Sequence, residues 1–134
     1  MPFKNQKVGE IMSKNVETIL PDTPIFEAVK ILKNKNIGSL VIVENSKILG
    51  IFTERDLAYR VVAEEIDYKN TSVSSVMTKP VVTVAEDTSI EDAYLLTATR
   101  NIRHLPVVDK ANRLIGMTGA KDILAEVLQK VLPI

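Results

Sequence analysis

Residues 11–62 and 76–128 are two copies of one pattern, visible when Met12-Ser13-Lys14 is laid on Met77-Thr78-Lys79 and Ile37-Gly38-Ser39-Leu40 on Ile102-Arg103-His104-Leu105. At this register the stretches 11–44 and 76–109 share Met, Lys, Val, Thr, Asp, Thr, Ile, Ala, Asn, Ile, Leu and Val at matching positions. One extra residue in the Asp109–Arg113 turn then moves the register by one and pairs Gly50 with Gly116 and Asp56 with Asp122. A repeat of this kind constrains the fold before any single motif does, because neither unit need bury its apolar face alone. Each copy of roughly 60 residues is a marginal folder by surface-to-volume scaling. The expected organisation is a first repeat over 1–63, a linker over 64–72 and a second repeat over 73–134, the three acting together.

Each copy reads as strand, helix, strand, turn, strand, helix. In the first, Val16–Ile19 is a short extended run. Asp22-Thr23-Pro24 opens a helix with Pro24 suited to its first position. Ile25, Ala28, Val29 and Leu32 fall on one helical stripe, and the helix stops near Asn36. Leu40–Val43 and Ile48–Phe52 flank a polar turn, which is a hairpin signal, and a second helix follows from Thr53. The second copy repeats the order with Val81–Val84, a helix from Thr88 to about Arg100, Leu105–Val108, Leu114–Thr118 and a final helix from Ala120. Thr88-Ser89-Ile90-Glu91 predicts a capping box, with Thr88 and Glu91 reciprocally satisfying backbone donors. The fold class is α+β: two pseudo-symmetric β-α-β-β-α repeats packed through their sheets.

Composition excludes several functions. The 17 basic and 17 acidic residues balance, whereas a domain that reads nucleic acid electrostatically carries a basic excess. Lys30, Lys33 and Lys35 then read as the wet side of a helix. Without cysteine there is no thiolate nucleophile, disulfide or Cys-based metal site. The longest aliphatic run, Leu40-Val41-Ile42-Val43, is far short of the ~20 residues that span a bilayer, and Met1-Pro2-Phe3-Lys4 opens no signal peptide. A cytoplasmic location is expected.

Chemistry concentrates where a strand runs into a helix, at Gly50-Ile51-Phe52-Thr53-Glu54-Arg55-Asp56. Thr53 and Asp56 have the spacing of a capping pair, with Asp in place of Glu. Two details point further. Arg55 lies in the first turn, where a cation is disfavoured by roughly 0.3–1 kcal/mol, and the second copy places Lys121 at the same position. A bound anion explains both. The hydroxyl and amides suit a phosphate, and the carboxylate suits the paired hydroxyls of a sugar.

With its two units each ending Gly-hydrophobic-hydrophobic-Thr/Gly-x-x-Asp, the chain resembles a tandem cystathionine-beta-synthase (CBS) domain pair, or Bateman module. Val8–Met12 and Val73–Met77 support the resemblance before the first strands. So do Ile37–Val41 and Ile102–Pro106 in the middles, and Gly50–Asp56 and Gly116–Asp122 at the ends. The resemblance implies a non-enzymatic regulatory module, commonly a homodimer, that binds an adenosine-containing ligand such as AMP, ADP, ATP or S-adenosylmethionine and acts on a separate protein. It needs no cofactor or metal. It also implies composite clefts that take the Thr-x-x-Asp element from one repeat and the strand and mid-repeat elements from the other.

Carried over by position, the stronger cleft comprises Thr53, Arg55, Asp56, Val82, Thr83, Ala93, Ile102, Arg103 and His104. Asp56 would hold the ribose hydroxyls, Thr53 and helix amides a phosphate, and the Val82, Ala93 and Ile102 neighbourhood the adenine, with Arg55, Arg103 and His104 around the phosphates. The weaker cleft comprises Thr18, Ala28, Ile37, Gly38, Ser39, Gly119, Lys121 and Asp122. There Gly119 replaces the hydroxyl residue and Gly38-Ser39 the basic pair. Clefts formed inside a single repeat would instead set the cationic pair beside Asp122.

Enzymatic readings lack support. His104 is the sole histidine, and a Ser-His-Asp arrangement through Ser39 or Ser89 has no nucleophile elbow. Gly116-Met117-Thr118-Gly119 lacks the length and lysine of a P-loop. Met12, Met77 and Met117 fit gap-filling in a core, while the resemblance also implies that the Met12 and Met77 regions lie near the clefts. The competing functions are a ligand-free dimerisation module and an S-adenosylmethionine-binding regulator, the latter independent of the cationic groups.

Overall fold

A computed structural model describes residues 6–132 and divides the chain into two compact units. One is residues 17–81; the other combines 1–16 with 82–134. Each unit is thus the body of one copy together with the segment that leads into the other.

In the unit 17–81, β1 (Thr18–Ile19) lies parallel to β2 (Ser39–Glu44), and β2 lies antiparallel to β3 (Lys47–Thr53). The aliphatic run of β2 is buried from Ser39 to Ile42, as expected of a strand covered on both faces. The hairpin closes through Asn45 and Ser46, both at positive φ (53° and 65°), the requirement of a two-residue turn that follows the strand twist. α2 (Ile25–Lys35) buries Ile25, Ala28 and Leu32, three positions of the expected stripe.

Pro24 is the N-cap of α2 rather than its first helical residue, and it supplies no side-chain cap. The expected linker fills that role: the Thr71 and Tyr68 carbonyls accept from Ile25 N–H and Phe26 N–H at 2.9 Å each. Donors left over by helix geometry are thereby satisfied from a distant segment. α2 ends at Asn36 in the left-handed region (φ 54°), with Ile37 N–H reaching back to the Leu32 carbonyl. The lysines behave as surface groups, Lys30 near Glu27 and Lys35 near Glu17, with Lys30 and Lys69 flanking the Phe26 ring.

After β3 the chain turns into α3 (Glu54–Asp56), which widens at once into a π-helical run, Leu57–Val62. The core unites Ile19, Ile25, Ala28, Leu32, Leu40, Ile42, Phe52 and Val61 with Val73, Val76 and Met77 from the segment after the linker. Thr78 of that segment pairs with the edge of β3, exchanging hydrogen bonds with Ile51 at 2.8 and 3.0 Å. Gly50 permits the approach. A Cβ there would lie 3.0 Å from the Thr78 carbonyl oxygen and would collide with the Met77 sulfur.

The second unit repeats the plan. β4 (Val84–Ala85) is parallel to β5 (His104–Val108), which is antiparallel to β6 (Leu114–Gly119). α4 (Ile90–Arg100) and α5 (Ala120–Val131) pack with α1 (Val8–Ile11) in a core of Val8, Val84, Ile90, Ala93, Leu105, Val107 and Ile123. Here Ser13 pairs with Met117 at 2.9 Å in both directions, and Gly116 makes room for Met12. Gln6 repeats the role of Thr71, its carbonyl accepting from Ile90 N–H at 3.1 Å.

The α4 cap differs from the expected box. Ser89 is the N-cap and accepts from Asp92 N–H at 3.1 Å. Thr88 N–H is already bonded to the Ala85 carbonyl, and Glu91 Oε1 is buried without a partner among the described residues.

Candidate functional site

The two strand-to-helix junctions are built alike in backbone and differently in side chains. In the unit 17–81, Ser39 stands opposite Thr53 across the hairpin, and the Gly38 carbonyl accepts from Glu54 N–H at 3.2 Å. Thr53 and Asp56 form a complete capping box, with Asp56 N–H donating to Thr53 Oγ1 (3.3 Å) and Thr53 N–H to Asp56 Oδ2 (2.9 Å). The Thr53 hydroxyl also lies 3.1 Å from Oδ2. The local cap is therefore realised in full.

Asp56 does more than cap. It is only 4% exposed, and a buried carboxylate needs its lone pairs occupied. Oδ1 accepts from the Thr78 hydroxyl at 2.8 Å and faces Arg60 Nε at 3.6 Å. Arg60 Nη1 in turn donates to the Met77 carbonyl at 3.1 Å. Thr78 and Arg60 were not singled out from sequence. The available signals were the Met-Ser/Thr-Lys motif of the alignment and the four-residue spacing from Asp56, which sets a pair on one helical face.

In the other unit His104 stands opposite Gly119, and the Arg103 carbonyl accepts from Ala120 N–H at 3.2 Å. Gly119 is extended (φ −172°), so its need for glycine is steric: any Cβ would strike the Arg103 carbonyl oxygen. The hydroxyl lost at this position is thus excluded by the backbone opposite. Asp122 and Lys121 are both exposed. In sequence, Arg55 stands between Glu54 and Asp56, and Lys121 beside Asp122.

The remaining sequence-assigned residues divide between the units. With Thr53 and Asp56 lie Thr18, Ala28, Ile37, Gly38 and Ser39; with Gly119 and Asp122 lie Val82, Thr83, Ala93, Ile102, Arg103 and His104. Ala28 and Ala93 are fully buried in the core of their own units, and Ile37, Val82 and Ile102 pack against those cores. Thr18 pairs with Val41 across β1 and β2 and is exposed, as is Arg103. Among the described residues no group of three or more His, Cys, Asp or Glu could hold a metal ion. No helix among them is long and apolar enough to cross a membrane.

Comparison with known proteins places this architecture. The CBS domain model matches twice, over residues 8–63 and 73–129. Inosine-5'-monophosphate dehydrogenase of Methanocaldococcus jannaschii is 38% identical over 120 residues, covering 89% of this chain and 23% of that enzyme. A protein with CBS domains from Burkholderia ambifaria superposes with a TM-score of 0.89 at 31% identity, over 94% of this chain and 96% of the other. The CBS domain pair of protein MJ0100, solved in complex with 5'-methylthioadenosine and S-adenosyl-L-methionine, superposes with a TM-score of 0.85 at 32% identity. That match covers 93% of this chain and 98% of that one. The chain belongs to the CBS domain family, as a tandem pair of CBS repeats.

Proposed function

We propose that the chain is a regulatory module that binds an adenosine-containing ligand and transmits its presence to a separate protein, without catalysing a reaction itself. The supporting observation is the similarity along nearly the whole chain to a CBS pair solved with two adenosine ligands. Asp56 is the proposed acceptor for ribose hydroxyls and Thr53 a hydroxyl contact for phosphate. Arg55, Arg103 and His104 favour an adenine nucleotide, AMP, ADP or ATP, as the natural ligand. The weaker set, Thr18, Ala28, Ile37, Gly38, Ser39, Gly119, Lys121 and Asp122, is proposed to bind less strongly because Gly119 admits no hydroxyl. A homodimer in the cytoplasm is the proposed working form.

S-adenosylmethionine or methylthioadenosine is the second reading, favoured by the ligands of that same relative. Thermal-shift titration with AMP, ADP, ATP, S-adenosylmethionine, methylthioadenosine and inorganic phosphate separates the two, since a native-state ligand at ~100 times its dissociation constant adds about 2.7 kcal/mol of stability. A saturable shift with a nucleotide, weakened in Arg103→Ala, is the expected result. A shift restricted to the sulfur-containing adenosines and indifferent to Arg103 supports the second reading. No shift with any of them rejects adenosine binding and leaves the dimerisation module.

A further inference from the structure

Asp56 poses a physical difficulty for any ribose that would use it. Its carboxylate is buried, and both oxygens are engaged within the unit, Oδ2 by the Thr53 N–H and hydroxyl and Oδ1 by the Thr78 hydroxyl, which stands on the side a ribose hydroxyl would need. The Met77-Thr78 segment is held at three further points. The Thr78 backbone exchanges two hydrogen bonds with Ile51, the Met77 carbonyl accepts from Arg60, and the Met77 side chain is buried over Gly50.

The second copy shows which of these points the seating requires. Ser13 takes the place of Thr78, Glu126 that of Arg60 and Asp122 that of Asp56. The backbone pair survives there, Ser13 with Met117 at 2.9 Å each way. The side-chain link does not: Asp122 is exposed, Ser13 Oγ lies 3.4 Å from Asn15 N–H, and Glu126 accepts from Gln6. A leading segment therefore docks on its sheet edge without a hydroxyl-to-carboxylate latch. The Thr78–Asp56 hydrogen bond is an addition peculiar to one junction, placed on the carboxylate proposed for ribose.

We propose that Thr78 is a specificity-determining gate for ribose: its hydroxyl and a ribose hydroxyl compete for Asp56 Oδ1, so that ligand binding displaces the Thr78 side chain from the carboxylate while the backbone pair with Ile51 keeps the segment seated. The inference rests on the reading of Asp56 as the ribose acceptor. A sugar hydroxyl and a threonine hydroxyl are equivalent donors to a carboxylate, so the exchange costs one hydrogen bond for each one gained. By linkage the effect is reciprocal, and whatever removes the Thr78 hydroxyl from Asp56 favours the ligand.

The test measures adenosine, AMP and 2',3'-dideoxyadenosine binding by calorimetry to the full chain, as wild type, Thr78→Val and Thr78→Ser. Removing the competing hydroxyl is expected to tighten adenosine and AMP binding about tenfold, leave dideoxyadenosine unaffected and be reversed by the serine variant. Unchanged or weaker adenosine binding by Thr78→Val, with wild type still binding, overturns the gate and spares the proposed function. An equal gain for the dideoxy compound also overturns it. Binding by Thr78→Val alone upholds both, while binding by none of the variants overturns both.

Discussion

Thr118 occupies the position that Phe52 holds in the first copy, and it is 1% exposed with a hydroxyl that has no partner among the described residues. An unmet buried hydroxyl is a standing cost. Thr118→Val, equal in shape and without the polar atom, is expected to raise unfolding free energy by about 1 kcal/mol in denaturant titration. A loss would mean that the hydroxyl is satisfied in solution. Asp109 shows the opposite economy at the longer turn. The Arg113 N–H, the Arg113 guanidinium and the Ala111 N–H hold its carboxyl below the ordinary 3.8 against the desolvation that raises it. A depressed carboxyl stabilises the fold above the unfolded value and loses that contribution as pH falls through the folded one. Asp109→Asn should therefore lower the melting temperature at neutral and alkaline pH, where wild type has that contribution, and flatten the acid side of the profile, where wild type loses it.

Among the elements, the order β-α-β-β-α was legible twice over in residue patterns, because apolar spacing and turn residues agree. The finer devices were less so. Two hydroxyl residues stand together at Thr88 and Ser89, and only the turn that engages Thr88 N–H decides that Ser89 caps α4. Ser89→Ala should cost about 1 kcal/mol of stability, whereas Thr88→Ala should leave the cap bond intact; chemical denaturation of both variants distinguishes them. Pro24 reads as a helix opener from sequence, yet its helix depends on carbonyls from residues 68 and 71, a relation no local pattern encodes. The π-helical run after Asp56 likewise left no trace in the alignment, where the equivalent stretch of the second copy is an ordinary α-helix. The Thr53–Asp56 box was readable from its spacing, but its extension to Thr78 joins residues 22 positions apart.

At the scale of the whole molecule, a repeat alignment identifies equivalent residues but is silent on which copy each one completes. Val73, Val76 and Met77 belong by sequence to the second repeat and by packing to the core that contains Phe52. A fragment of residues 17–81 is accordingly expected to show a more cooperative thermal transition than one of residues 1–63, which forfeits those three side chains; circular dichroism melts of the two would reverse this order if the repeat were the folding unit. The exchange of leading segments also bears on ancestry. A single repeat standing alone carries an arm shaped for a core it does not contain, so two identical chains could each finish the other by trading arms. Duplication and fusion of such a chain would turn a reaction whose rate depends on concentration into one that a solitary molecule completes, and would free the two junctions to diverge, one acquiring its latch and the other its glycine.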